Sequence, residues 1–359
     1  MTIKNKVKNA ILDIDIYHQK RWLAKYEIKK INMKSSLWKQ VEITTEDKTK
    51  IDAIYGKDSD KRWHRYYAYF TGKMDYKYLP ENVYSTKLEW VLNPYRLCCA
   101  LEDKALLPMM FGDVEGICLP KTVICKSYGR YTDSNENLID EKEAIEQVRL
   151  YLEDNKNAIY KPTRDTSSGR GVELITLGNY MKVLSETQEN YIVQELLVNQ
   201  SDIKALNPSS LNTLRVMTYI CNEKYYCAPI LMRMGVGDKV VDNAHAGGIF
   251  IGVNTDGTLC DQAFSEYGEK HSVHPATKIR FAGYQISNVG KVIDAAIACH
   301  KKLSQLGMIS WDFTLNQDGV PTLIESNLFG QSVWLPQIAH GKSIFGENTM
   351  DMLKLIQDE

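Results

Sequence analysis

Three oxygen-bearing side chains, Asp312, Glu325 and Asn327, sit in the stretch GMISWDFTLNQDGVPTLIESNLF, which runs from Gly307 to Phe329 and has the pattern of a β-hairpin. Two strand-like runs, Ile309 to Asn316 and Val320 to Asn327, flank Asp318-Gly319, a dipeptide suited to a two-residue type I′ turn. That turn sets Gln317 against Val320 and therefore Asp312 directly against Glu325, with Asn327 on the same face. Carboxylates so placed, with Cβ atoms about 5 Å apart, repel unless a cation lies between them. A set of oxygen ligands without His or Cys suits a hard ion such as Mg²⁺, which takes carboxylates together with substrate phosphates. The competing reading is an ordinary solvated hairpin face. Neighbouring Trp311, Phe313, Leu323 and Ile324 point to a partly buried sheet, where unpaired acids are costly, and so favour the metal.

Other stretches carry groups suited to anions. In NAIYKPTRDTSSGRGVELITL a strand ending at Lys161 leads into a polar loop and then a second strand. Thr166, Ser167, Ser168, Gly169, Arg170 and Gly171 supply small residues, free backbone N–H groups, hydroxyls and a guanidinium, the chemistry of a flap over phosphates. A hairpin loop without a ligand is the alternative. Arg215 and Arg233 stand in the strand-like runs NTLRVMTYI and YYCAPILMRMG, and a buried strand rarely holds an arginine without an anionic partner. VVDNAHAGGIFIGVN sets Asn243, His245, Gly247 and Gly248 before another strand. With no second His or Cys nearby, His245 reads as a hydrogen-bonding group in preference to a metal ligand. PQIAHGKS resembles a P-loop, but Pro336 stands where its first glycine must be and no βαβ context surrounds it, so that motif is rejected.

The elements that must position these groups are legible in outline. Residues 1–40 read as a lysine-rich helix, and the following stretch to about residue 95 is rich in Tyr and Trp, a pattern more often core than sugar platform. Residues 97–127 read as helix, turn and strand, with Asp103-Lys104 opening a second helical piece, and Glu141 to Asn155 as an acidic helix. The apolar strand YIVQELLV is followed by a polar tail, Asn199 to Asp202. Ile286, Val289, Ile293, Ile297 and Leu303 mark an amphipathic helix within Gly283 to Leu306, with Gly307 as its C-terminal cap.

At 359 residues the chain can build two or three domains, and with 25% charged residues and a net charge of -1 nothing global argues for nucleic acid. The charge is uneven, since residues 1–40 carry ten Lys/Arg against three Asp/Glu, or +7, leaving -8 elsewhere. Such a start can bind an anionic membrane or an acidic partner, or can be a solvated helix. Asp13 and Asp15 interrupt the first apolar run, so no secretory signal is read, and no apolar run is long enough to span a bilayer. Eight cysteines without a CxxC pair read as reduced residues of a cytosolic protein.

Taken in order, these motifs resemble the ATP-grasp superfamily over roughly residues 78–340, and in particular its sugar-transfer-associated, polysaccharide-biosynthesis members. The set is DK, then KP with a Ser/Gly loop, then Q-E-L-L, N-x-H-x-G-G, and D with E-S-N. The resemblance implies an α+β fold that holds ATP between two α+β subdomains, here with a helical, aromatic-rich N-terminal region. The expected divisions are 1–95, then 96–197 for the N-terminal and lid subdomains, then 198–359 for the metal- and ATP-binding subdomain. By the same resemblance Lys104 and Lys161 contact ATP phosphates, with Ser167, Ser168 and Gly169 as the flap. Gln194, Glu195 and Leu197 belong to an adenine-recognising hinge, Asp202 holds the ribose, and Asn243 lies near the phosphates. Asp312, Glu325 and Asn327 are implied as the Mg²⁺ ligands. Where D-alanine ligases keep an arginine two residues before the first metal ligand, this chain has Ser310, so Arg215 or Arg233 becomes the candidate for stabilising the transferred phosphoryl group, with His245 beside them.

The implied activity is a carboxylate–amine ligase that uses ATP and Mg²⁺, with a small-molecule or nucleotide-sugar acid and an amine as substrates. A uronic acid of a surface polysaccharide precursor joined to an amino acid is the specific expectation. A phosphotransferase acting on a sugar, or a nucleotide-binding adaptor docking on glycosyltransferases or the inner membrane face through the basic N-terminus, are the alternatives.

Overall fold

The computed structural model describes residues 3–57, 59–164, 169–186, 190–237 and 247–357, with side chains from residue 14 onward. Two antiparallel sheets organise it. The smaller has the order β3-β2-β1-β6-β4-β5, from β1 (Thr122–Ser127), β2 (Arg130–Thr132), β3 (Leu138–Ile139), β4 (Ala158–Pro162), β5 (Glu173–Ile175) and β6 (Tyr191–Glu195). Its strands alternate as period-2 geometry requires. Ala158, Tyr160, Tyr191 and Val193 pack with Ala144, Val148 and Leu152 of the helix Glu141–Asn155. Ile159, Lys161, Ile192 and Gln194 are therefore left to the opposite face, where Lys161 pairs with Ile192 and Ile159 with Gln194. The expected acidic helix starts where Asp140 accepts the Glu143 N–H at 2.9 Å and stops where Lys156 turns left-handed.

The larger sheet has the order β12-β11-β10-β9-β7-β13-β14, with β8 paired to β7. Its strands are β7 (Thr213–Cys221), β8 (Lys224–Cys227), β9 (Ile230–Met234), β10 (Ile249–Val253), β11 (Leu259–Phe264), β12 (Lys270–His271), β13 (Met308–Leu315) and β14 (Pro321–Asn327). Leu214, Val216, Ile309, Trp311, Phe313 and Leu315 pack against Val292, Ala295, Ala296 and Cys299 of the helix Val289–Lys302. Alternation turns Arg215, Ser310, Asp312 and Thr314 to the other face. The run YYCAPILMRMG, expected as continuous, is split at Ala228-Pro229 into β8 and β9, because proline has no N–H to offer the ladder.

The hairpin differs from expectation in a way that matters. Asp312 does face Glu325, but the turn is not the two-residue one: Asn316 pairs with Val320, its side chain accepts the Asp318 and Val320 N–H groups at 3.0 and 2.9 Å, and Gly319 is left-handed at φ 71°. This longer loop shifts the register by one residue, and a bulge at Ile324 shifts it back, since Phe313 pairs with Leu323 while Asp312 pairs with Glu325. The extra residue lets Leu323 enter the core while Glu325, only two positions on, joins Asp312 on the opposite face. A Cβ on Gly319 would lie 2.4 Å from the Asn288 amide nitrogen. Gly319→Ala is expected to lower stability by about 1–2 kcal/mol in equilibrium denaturant unfolding.

The helix expected over Gly283–Leu306 spans only Val289–Lys302, preceded by left-handed Asn288. Gly307 is not its cap: its N–H donates to Leu92 O at 2.7 Å, and a Cβ there would lie 2.8 Å from the Leu92 side chain. The expected tail at Asn199 is buried, its amide bridging Asn212 and Thr314, and Ser201–Leu206 forms a helix.

The first helix, Ile3–Met33, packs beside the other N-terminal helices, with Ile31 in the cluster through which the aromatic stretch lies against the larger sheet. Trp63, Tyr66, Tyr67, Phe70 and Tyr78 form one core with Phe250, Phe264 and Trp334, which accounts for that stretch as packing. All eight cysteines are free thiols. Among the described residues no helix is long and apolar enough to cross a membrane.

Candidate functional site: a charged cleft between the sheets

Asp312 lies directly opposite Arg215 in the β13–β7 register. Arg215 Nε and Nη2 donate to the two carboxylate oxygens at 2.9 and 2.8 Å, and Arg233 Nη2 reaches Oδ2 at 3.1 Å. Arg233 is further held by the Thr213 hydroxyl at 2.9 Å. Burial would raise the Asp312 carboxyl. The guanidiniums of Arg215 and then Arg233, with hydrogen bonds from Arg215 and Asn327, overcome that and hold it down at about 2. The two strand arginines thus meet an anion of the chain itself. Ser310 is buried and its hydroxyl has no partner among the described residues; the guanidiniums beside Asp312 come from β7 and β9.

Glu325, across from Asp312, pairs with Lys104 Nζ at 2.8 Å. Lys104 is carried by a short turn that Asp103 opens by accepting the Ala105 N–H at 3.0 Å. That turn is pinned to the smaller sheet, because the Lys104 N–H donates to Thr163 O at 3.0 Å and Asp103 pairs with Arg164 at 3.1 Å. Lys161 projects from β4 into the same region. Burial, together with repulsion from Lys104 and against the attraction of Glu325, pushes its ammonium down to about 8. The structure therefore brings Lys104, Lys161, Arg215, Arg233, Asp312, Glu325 and Asn327 together between the sheets.

The remaining expected residues are placed as follows. Gln194 shares the inward face of the smaller sheet with Lys161; its Nε2 donates to Thr122 at 3.0 Å, while its buried Oε1 has no partner among the described residues. Glu195 accepts the Lys121 N–H at 2.8 Å, and Leu197 is half-buried. Both Asp202 oxygens accept from the chain, one from Ser287 N at 2.8 Å and the other from Ile203 N at 2.7 Å. Gly169 and Gly171 are left-handed at φ 72° and 71°. Ser167, Ser168, Asn243 and His245 lie outside the described residues.

An oxygen-only set of two carboxylates and an amide fits Mg²⁺, which needs few protein ligands when phosphates supply others. The orphaned Gln194 oxygen suits an amino donor such as adenine carries, and the lysines suit phosphates.

The sequence reading missed a second set of residues. Three glutamates accept backbone N–H groups of the segment that follows Asn327: Glu102 from Leu328 at 3.1 Å, Glu89 from Gln331 at 2.9 Å, and Glu81 from Val333 and Trp334 at 2.9 and 3.1 Å. Lys30 of the first helix pairs with Glu81 at 2.8 Å, and the Met308 N–H donates to Asn93 Oδ1 at 3.1 Å. The N-terminal region thus fixes both ends of the acidic hairpin. The only signal was an acid at each of positions 81 and 89 in the helical run ENVYSTKLEWVL, where polar Asn82, Ser85, Thr86 and Lys87 make such acids look like ordinary surface residues. Burial raises the Glu89 carboxyl well above the ordinary range, toward the neutral acid that an amide resembles. Glu89→Gln is accordingly expected to change unfolding free energy by less than about 1 kcal/mol, whereas Glu89→Ala, which orphans the Gln331 N–H and leaves a void, should cost about 2–4 kcal/mol in denaturant unfolding at pH 7.

Residues 174–351 match the sugar-transfer associated ATP-grasp family. Partial structural likeness extends to the D-Ala:D-Ser ligase VanG from Enterococcus faecalis (15% identity, 73% of this chain and 62% of that one, TM-score 0.43). It also extends to D-alanyl-alanine synthetase A from Vibrio cholerae (12%, 73% and 67%, 0.44) and to the ATP-grasp ligase PsnB (12%, 74% and 62%, 0.41). The chain spans about three fifths of the length of VanG and of PsnB. No curated protein sequence matches it. The matched residues include β7, β9, β13 and β14, the strands that bear both arginines and both facing carboxylates, and through them the chain belongs to the sugar-transfer associated ATP-grasp family.

Proposed function

We propose that the protein is an ATP-dependent ligase that joins a carboxylic acid to an amine through an acylphosphate. The observation that carries this reading is the convergence of four cationic side chains and two facing carboxylates between two sheets. A carboxylate is a poor electrophile, and phosphorylation by ATP makes it one that an amine can attack. Asp312, Glu325 and Asn327 would hold Mg²⁺, which supplies charge neutralisation at the phosphates. Lys104 from its pinned turn and Lys161 from β4 bind phosphate oxygens. Arg215 and Arg233, preorganised against Asp312, place positive charge where it builds up during phosphoryl transfer. Gln194 orients the base, with Glu195 and Leu197 in the hinge and Asp202 toward the ribose. The loop from Ser167 to Gly171 covers the phosphates and excludes water, which would hydrolyse the acylphosphate; Asn243 and His245 complete the site. The acid is a uronic acid or related acidic group of a surface polysaccharide precursor, and the amine an amino acid.

Isotope transfer tests the reaction class. With acid labelled by ¹⁸O in its carboxylate, a ligase moves one label into the released phosphate and forms an amide. Unlabelled phosphate, or phosphate retained on a sugar hydroxyl, would overturn the proposal in favour of hydrolysis or of a phosphotransferase.

A further inference from the structure

The first helix shows two unlike faces. Inward, the cations are neutralised: Lys30 pairs with Glu81 and Glu27, and Lys34, the residue just past the helix, pairs with Glu266 at 2.8 Å. Outward, Arg21, Lys25 and Lys29 are exposed, and among the described residues none of them meets a carboxylate. Beside them lie Ile14, Tyr17, Trp22, Tyr26, Ile28 and Met33, six of the seventeen large hydrophobic residues that the described surface exposes. Trp22 and Tyr26 stack at 5.4 Å, which makes one rigid aromatic plate in place of two mobile rings. Between Ile14 and Met33 the acids are Asp15, on this face, and Glu27, which is buried. The face thus interleaves unneutralised cations with aromatic and aliphatic groups along roughly 30 Å of helix.

We propose that this face docks the protein on the surface of an anionic lipid bilayer. Lysine and arginine stems lie along the interface with their charges among lipid phosphates, Trp and Tyr rest at headgroup depth, and Ile and Met side chains enter the acyl boundary. The charge argues for this occupant: three free cations on one helix face complement a negative lipid surface, whereas the rest of the chain carries -8 and is repelled by it. The helix lies flat, because its opposite face is committed to Glu81 and Glu266. The ligase reading is not needed for this inference.

Sedimentation of the full chain with phosphatidylcholine vesicles, alone or containing phosphatidylglycerol, tests it. Binding to the anionic vesicles should exceed that to the neutral ones by on the order of 100-fold and weaken steeply with salt. Arg21→Glu/Lys25→Glu/Lys29→Glu should abolish it and Trp22→Ala/Tyr26→Ala should weaken it, both with an unchanged melting temperature because all five side chains are exposed. Equal recovery with both vesicle types, or anionic binding unaffected by the triple variant, would overturn the proposal, and capture of an acidic protein without vesicle binding would do the same.

Discussion

Asp312→Asn will both destabilise the protein and reduce its turnover. The carboxylate is buried between two guanidiniums, and the nearly isosteric amide removes the anion while leaving both cations in place. Breaking a buried ion pair from one side costs about 3–5 kcal/mol, so the variant should unfold at markedly lower denaturant. The effect has a definite pH dependence. In the folded protein the carboxyl is held at about 2, below its ordinary value near about 3.9, so its stabilisation is fully present above that value and is lost as pH falls toward about 2. The gap between wild type and variant should therefore be widest near neutrality and shrink in acid. ATP turnover, which the proposed chemistry routes past this carboxylate, should fall on the order of 100- to 1000-fold. A variant as stable as wild type at pH 7 would mean that the arginines find their anion elsewhere.

Lys161→Met is expected to do the opposite to stability and the same to activity. Burial and the nearby Lys104 hold the Lys161 ammonium down at about 8, so keeping it charged at neutral pH costs folding free energy. That cost is present below about pH 8 and disappears as pH rises toward the ordinary lysine value near about 10.4. The methionine variant should be more stable at pH 7 by on the order of 2–3 kcal/mol, with the advantage fading in alkaline denaturant melts. Its ATP turnover should nonetheless drop on the order of 100- to 1000-fold. Such a pairing, stability gained and activity lost, is the mark of a charge kept for function. Loss of stability together with activity would instead assign Lys161 a structural role.

Much of the site was legible in the residues because its parts obey local rules. Period-2 alternation put Asp312 and Asn327 on a polar face, the strand arginines called for an anionic partner, and the acidic helix is bounded by its own cap and by Lys156. The facing of Asp312 and Glu325 was reached through a two-residue turn that does not exist. Asn316 lengthens the loop and Ile324 absorbs the shift, and two offsetting one-residue changes leave no trace in a pattern count. Gly307 read as a helix cap because nothing local reveals that Leu92 presses on it from 215 positions earlier. The glutamates that hold residues 328–334 were hidden for the same reason, since their partners are backbone groups more than two hundred residues away. Long-range polar contacts to backbone carry no residue-type signature, and those are the contacts through which the N-terminal region positions the hairpin.

The proposed function requires this cleft to activate a carboxylate with ATP. The most direct measurement is ADP formation by the purified protein with Mg²⁺, over a panel of uronic acids, nucleotide-linked uronic acids and amino acids, with Glu325→Ala run beside it. ADP is expected only when an acid and an amine are both present, with an amide-linked product of matching mass, and both should be lost in the variant. ADP formation that needs no acid, or that survives in Glu325→Ala, would contradict it.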